Sequence, residues 1–153
     1  MQYDIENESA ARGALEKILR QRGMNVNIKE CGIFIDESGV LAASPDGIID
    51  QDTIVEIKCL SKYRNDPAGA LNCSSYGIKM NQNTYELGEN SIWYDQIQAQ
   101  LHITNSNICC LICDIPQKSI VVLVRRDPKW SPNINKLIRY YWAVIFPKII
   151  SKC

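Results

Sequence analysis

The chain has 153 residues, 46% of them hydrophobic, and sets 17 Lys and Arg against 17 Asp and Glu. That size fits one domain with a real core, and a neutral total encodes no bulk attraction to nucleic acid, which argues against a passive coat protein. Met1 to Ser9 is polar and acidic, and no apolar run approaches the roughly 18 residues of a membrane span. Seven cysteines, an odd number, without a secretion signal imply a reducing, intracellular setting, cytoplasm or nucleus according to the host.

The first predicted element is a helix over Asp4 to Arg22, ended by Gly23. Ala11, Leu15, Ile18 and Leu19 form its apolar stripe; Glu8 falls on that stripe, whereas Glu6 points roughly the other way. A carboxylate on a core-facing stripe is costly unless it is paired or bound to metal, which makes Glu8 a candidate metal ligand. The plainer reading is a rim acid favoured by the helix dipole.

A meander follows. Gly32 to Ile35 reads as a strand, Asp36 to Gly39 as a hairpin turn and Val40 to Ala43 as a second strand that ends at Pro45-Asp46-Gly47. Alternation along Thr53 to Lys58 puts Val55 and Ile57 on one face and Glu56 and Lys58 on the other, and the preceding turn brings Asp46 near that second face. Two carboxylates can hold Mg²⁺ or Mn²⁺ through oxygen, and a lysine beside the ion can orient the attacking water or help take its proton. This residue set suits metal-dependent hydrolysis of a phosphodiester. On the short pattern alone, a hairpin with Glu56 and Lys58 lining a solvated face competes with it. Asp36 either supports the site or caps its own loop, and Asp50 and Asp52 read as loop acids.

Residues 60–91 read as irregular, with Pro67, Gly69, Gly77 and Gly88 among polar residues, and a loop that long is usually functional. A helix is predicted over Ser91 to Thr104, with Trp93, Ile97 and Leu101 facing inward and Gln96 and Gln100 on the same face, where buried amides need partners. His102, the only histidine, falls opposite Trp93 and reads as exposed, which argues against histidine or zinc chemistry. Ile108 to Ile115 and Ser119 to Val124 form a hairpin. Cys109, Cys110 and Cys113, with Cys31 or Cys153, invite an iron–sulfur reading, but a buried strand with cysteine as a small apolar residue fits the run better. A last helix runs from Pro132 to Phe146 and breaks at Pro147. The basic bunches around Arg12 to Arg22, Lys58 to Arg64 and Arg125 to Lys129 read as solvated faces.

Three blocks stand in order: Ser44-Pro45-Asp46-Gly47, Val55-Glu56-Ile57-Lys58-Cys59 and Trp93-Tyr94-Asp95-Gln96-Ile97-Gln98-Ala99-Gln100. With Glu8 followed by Ala11-Arg12, they resemble the YqaJ-like viral recombinase, or phage lambda exonuclease, family of the PD-(D/E)xK nuclease superfamily. Leu60 replaces a usual proline and Trp93 a usual tyrosine; neither touches the metal chemistry.

The resemblance implies one YqaJ-like domain over residues 1–153, an α/β restriction-endonuclease-like core with a central mixed β-sheet between the Glu8 and Gln96 helices. It implies a Mg²⁺-dependent deoxyribonuclease, with Mn²⁺ substituting and two ions bound, that digests double-stranded DNA ends from 5′ to 3′ in recombination. Asp46, Glu56 and the Ile57 carbonyl would bind one ion and Glu8 would help hold a second. Lys58 and Gln96 would place the water, with Asp36 in support and Ser44 touching a phosphate. Lys62, Arg64 and Lys79 would contact DNA. A single-strand annealing protein as partner, a homotrimer and a preceding segment that grips the 5′ phosphate also belong to the family, and no membrane partner does. An endonuclease or RNA-cleaving enzyme on the same core, or an idle DNA-end-binding module, are the alternatives.

Overall fold

The computed structural model describes residues 12–13, 15–21, 23, 26–115 and 118–152; the expectations for Glu6, Glu8 and Ala11 lie outside them. Its centre is a four-stranded mixed sheet in the order β3 (Gly47–Ile48), β4 (Thr53–Cys59), β7 (Ile108–Ile115), β8 (Lys118–Arg125). β4 runs parallel to β7, and the outer pairings are antiparallel. The fold is the expected α/β core, a mixed sheet with helices on both faces.

Burial explains why each strand looks as it does. β7 is central and covered on both sides, so Cys109 to Cys113 are all buried and no polar alternation appears. β8 is an edge strand, and it alternates: Ile120, Val122 and Val124 face inward while Leu123 and Arg125 face out. Two apolar clusters sandwich the sheet. On one face Ile54, Cys109, Leu111 and Cys113 pack against Trp93, Ile97 and Leu101 of the segment that holds α3 (Tyr94–Ile103). On the other, Val55, Ile57, Cys110 and Ile112 meet Leu15 and Leu19 of the helix over residues 15–21, α1.

The same alternation decides the cysteine question. Cys109 and Cys113 belong to one cluster and Cys110 to the other, so this strand aims its thiols in opposite directions and presents no common ligand face.

β1 (Phe34–Ile35) and β2 (Ala42–Ala43) pair only with each other, so the predicted meander is a separate small hairpin beside the main sheet. Next to it, β3 is bridged on its outer side to Lys29, with Ile48 N–H donating to Lys29 O at 2.9 Å and Lys29 N–H to Ile48 O at 2.8 Å. That approach leaves no room for a side chain at Gly47, where a Cβ would lie 2.7 Å from Ile28 Cγ2.

The expectation of an irregular stretch over 60–91 is corrected. A 3₁₀ turn at Ser61–Tyr63 leads to α2 (Pro67–Asn72), then to a hairpin of β5 (Ile78–Asn81) and β6 (Thr84–Leu87). Asp66 caps α2 by accepting from Gly69 N–H at 2.9 Å. Gln82 and Asn83 form the hairpin turn at φ 44° and 69°, the paired positive φ of a type I′ turn. Sequence reading misses it because glutamine rarely takes the first such position.

The last helix is longer than expected. α4 (Pro132–Tyr140) passes through a π-type turn at Tyr141–Ile145 into α5 (Phe146–Ile150), with Pro147 in its first turn. The widened turn accommodates a proline that lacks an N–H and crowds the preceding carbonyl. Among the described residues no helix is long and apolar enough to cross a membrane.

Candidate active site

The acid pair is anchored on β4. Asp46 N–H donates to Val55 O at 3.0 Å, and its Oδ2 accepts from the Ile57 N–H at 2.6 Å. The Pro-Asp-Gly turn thus lays its carboxylate across the residue that follows Glu56. Pro45 is held in turn by the Cys31 thiol, which donates to its carbonyl at 3.3 Å.

Glu56 is buried, 4% exposed, and a carboxylate there requires compensation. Its Oε1 accepts from Lys58 Nζ at 2.6 Å and from Gln96 Nε2 at 2.8 Å. Lys58 Nζ also donates to Gln96 Oε1 at 3.0 Å, which closes a triangle of three hydrogen bonds. The second carboxylate oxygen, Oε2, accepts from Gln100 Nε2 at 2.9 Å. The structure therefore brings Asp46, Glu56, Lys58 and Gln96 together and adds Gln100. Sequence reading put Gln100 on the inward face without giving it a place at the site; its i, i+4 spacing from Gln96 is the signal that finds it.

α3 can hold these amides because it is tied down along its length. Trp93 stacks on Tyr76 at 4.5 Å between ring centroids. The fully buried Gln98 donates to Arg125 O and accepts from Asp127 N–H at 2.9 and 2.8 Å. Trp130 donates to Asp95 at 2.8 Å and stacks on His102 at 5.6 Å. His102 is consequently half-buried, with Nε2 3.0 Å from Asp127 O, rather than exposed as expected.

The remaining candidates sit further out. Asp36 accepts from Ser38 Oγ at 2.7 Å and from Leu41 N–H at 3.0 Å, which makes it the cap of its own hairpin loop. Burial pushes its carboxyl up, and these hydrogen bonds outweigh burial and leave it below the ordinary value. Asp50 and Asp52 are loop acids, the latter accepting from Asn107 Nδ2 at 2.6 Å. Ser44 is exposed and lines a cavity of about 240 Å³ with Gln96 and Gln100. A second cavity, about 360 Å³, opens beside Lys58 and is walled by Tyr76, Ile92 and Trp93. Lys62 Nζ lies 5.0 and 5.4 Å from the Tyr63 and Tyr76 ring centroids. Arg64 donates to Ser61 O at 3.4 Å, and Lys79 is exposed on β5 opposite Glu86.

The Cys31 thiol is pushed up by burial and by the Asp46 charge, and drawn back by Arg12. Arg12 itself pairs with Glu30 at 2.8 Å, and Glu8 is outside the described residues. Residues 3–107 match the YqaJ-like viral recombinase domain. The chain belongs to that family.

Two solved structures share the fold of this YqaJ-like domain. LHK-Exo in complex with dAMP aligns at a TM-score of 0.71 and 18% identity, over 99% of this chain and 70% of that one. The alkaline exonuclease LHK-Exo from Laribacter hongkongensis aligns at 0.66 and 17%, over 96% and 69%. No curated protein matches the chain.

The donor set of the YqaJ-like site fits a hard divalent cation. Asp46, Glu56 and the Ile57 carbonyl offer only oxygen, and a Mg²⁺ site needs just one or two carboxylates beside water and phosphate. Among the described residues no three Asp, Glu, His or Cys side chains gather as a metal cluster, so any third carboxylate comes from elsewhere.

Proposed function

We propose that this YqaJ-like domain is a Mg²⁺-dependent nuclease that hydrolyses DNA phosphodiesters, as a 5′–3′ exonuclease on double-stranded ends. The observation that carries the reading is the Lys58–Glu56–Gln96 triangle set beside the Asp46 carboxylate. Asp46, Glu56 and the Ile57 carbonyl would hold one ion, and Glu8 would help with a second. Bound there, the metal supplies positive charge against the phosphate and the leaving oxygen.

The chain's own residues do the rest. Lys58 Nζ, as donor, and Gln96 Oε1, as acceptor, orient the attacking water from one side, and the water's proton passes to solvent as its oxygen attacks phosphorus. The bond from phosphorus to the 3′ oxygen breaks, that oxygen takes a proton and leaves with the terminal 5′ mononucleotide, and the phosphate stays as the new 5′ end of the strand. Lys62, Arg64, Lys79 and Ser44 would contact phosphates. Asp36 would support the site through its loop.

Action in recombination beside a single-strand annealing protein, inside the cell, and assembly into a trimer rest on the family resemblance. The test is an end-labelled linear duplex with Mg²⁺, run beside closed circles and RNA. A ladder of 5′ mononucleotides from the linear DNA alone supports the reading; cut circles or cut RNA would replace it with an endonuclease or a ribonuclease. EDTA should stop the reaction, Mn²⁺ should substitute, and Ca²⁺ should permit binding with little turnover. DNA-end binding without any metal-dependent cleavage would indicate an idle module.

A further inference from the structure

The two oxygens of Glu56 are held by different parts of α3. Oε1 is shared by Lys58 and Gln96, which the proposed reaction uses, while Oε2 is held by Gln100. Gln100 is itself only 6% exposed. Its amide orientation follows from its partner, because the flipped amide would set its oxygen against the carboxylate. With the N–H side committed to Glu56, the Gln100 Oε1 is buried with no hydrogen-bond partner. An orphaned buried acceptor costs about 1–3 kcal/mol, and a methionine of similar length would avoid that cost. A glutamine that is unfavourable for the fold by itself points to a role at the carboxylate it touches. It also lines the cavity of about 240 Å³ formed with Ala42, Ala43, Ser44 and Gln96, whose small side chains leave space beside the two amides that hold Glu56.

We propose that Gln100 is a positioning residue for the cation: its N–H fixes Glu56 Oε2 so that this carboxylate is presented to the metal in one orientation. The water-handling pair, Lys58 and Gln96, is then free to act from the Oε1 side. This inference rests on the nuclease reading. Outer partners that orient a metal ligand typically change affinity 10- to 100-fold when removed.

The experiment is Mn²⁺ binding to the DNA-free protein, by calorimetry and by the loss of free-ion electron paramagnetic resonance signal. It compares wild type with Gln100→Met, Gln100→Asn and Gln96→Met. The Gln100 variants should bind Mn²⁺ on the order of 10- to 100-fold more weakly, and the Mn²⁺ concentration for half-maximal cleavage should rise by the same factor. Gln96→Met, which removes a donor to Glu56 Oε1 as well as the acceptor for the water, should weaken Mn²⁺ binding and also lose kcat at saturating metal. A structural role alone would lower Tm and leave the affinity of the folded protein unchanged, so a folded Gln100 variant with wild-type affinity overturns the proposal. If Gln100→Met does not fold, Gln100→Asn, whose shorter amide cannot reach Oε2 from the same backbone, gives the same reading. Wild-type protein that binds no Mn²⁺ overturns this inference and the nuclease reading together; wild-type binding and cleavage with unaffected Gln100 variants overturns this one alone.

Discussion

A carboxylate taken out of water must find donors or a counter-charge, and Glu56 has three: the Lys58 ammonium, the Gln96 amide and the Gln100 amide. Lys58→Ala removes one and leaves the two amides, so the domain should still fold while water is no longer oriented. Cleavage should fall by roughly 10²–10⁴, the range for losing a positioned acid–base group, with the circular dichroism spectrum unchanged. A folded Lys58→Ala protein with full activity would remove Lys58 from the mechanism. A different residue-scale test concerns Cys73. Hydrogen bonds from Ser75 and Tyr63 lower its thiol to about 7. Burial instead raises Cys113 to about 12 and Cys110 to about 11. A thiolate is the reactive form, so alkylation of Cys73 should climb through pH 7 and level off above it. Mass spectrometry of native protein treated with iodoacetamide at pH 7.5 should find Cys73 modified and Cys109, Cys110 and Cys113 intact.

At the scale of elements, the helices and strands around the site were legible because their side chains obey one period each. Glu56 and Lys58 alternate with Val55 and Ile57, and the structure puts the two pairs on opposite faces of β4. Gln96 and Gln100 are one helical turn apart, and both reach Glu56. What was not legible was set by contacts between elements. The β5–β6 hairpin turns on Gln82 and Asn83, whose positive φ no strong turn pair announces, while Ile78, Tyr85 and Leu87 pack into the α3-side core. His102 reads as exposed on a helical wheel, yet Trp130, 28 positions later, folds back to cover it. The cysteine run shows the value of knowing the element: in a strand, Cys110 and Cys113 cannot share a ligand face. That strand is also where the sheet is most sensitive to truncation. Leu111 is fully buried in the α3-side core, and Leu111→Ala should cost about 2–5 kcal/mol in urea unfolding, since a rigid sheet between two packed faces collapses little around a void.

Over the whole molecule, charge and apolar surface are unevenly divided. The chain carries 17 basic and 17 acidic residues in all, but residues 128–153 hold Lys129, Lys136, Arg139, Lys148 and Lys152 and no acid. In the same stretch Leu137, Tyr140, Trp142, Ile149 and Ile150 are exposed, and none of the residues of α4, the π-type turn or α5 is buried. Trp130, just before it, is buried and bonded to Asp95, so the packed body ends there. It follows that the helix contributes little to the stability of the single chain. Among the described residues, both apolar clusters around the sheet draw on residues before Trp130. Ending the chain after Ser131 should therefore shift Tm by only a few degrees, the scale of about 1 kcal/mol in a domain of this size. If the trimer proposed from the family forms, this apolar, basic helix, with Leu137, Tyr140 and Trp142 exposed, is the segment that would be covered in it. The same truncation should then convert a larger species to monomer in light scattering. Loss of the folded state on truncation, with the full chain monomeric throughout, would show instead that the helix belongs to the core.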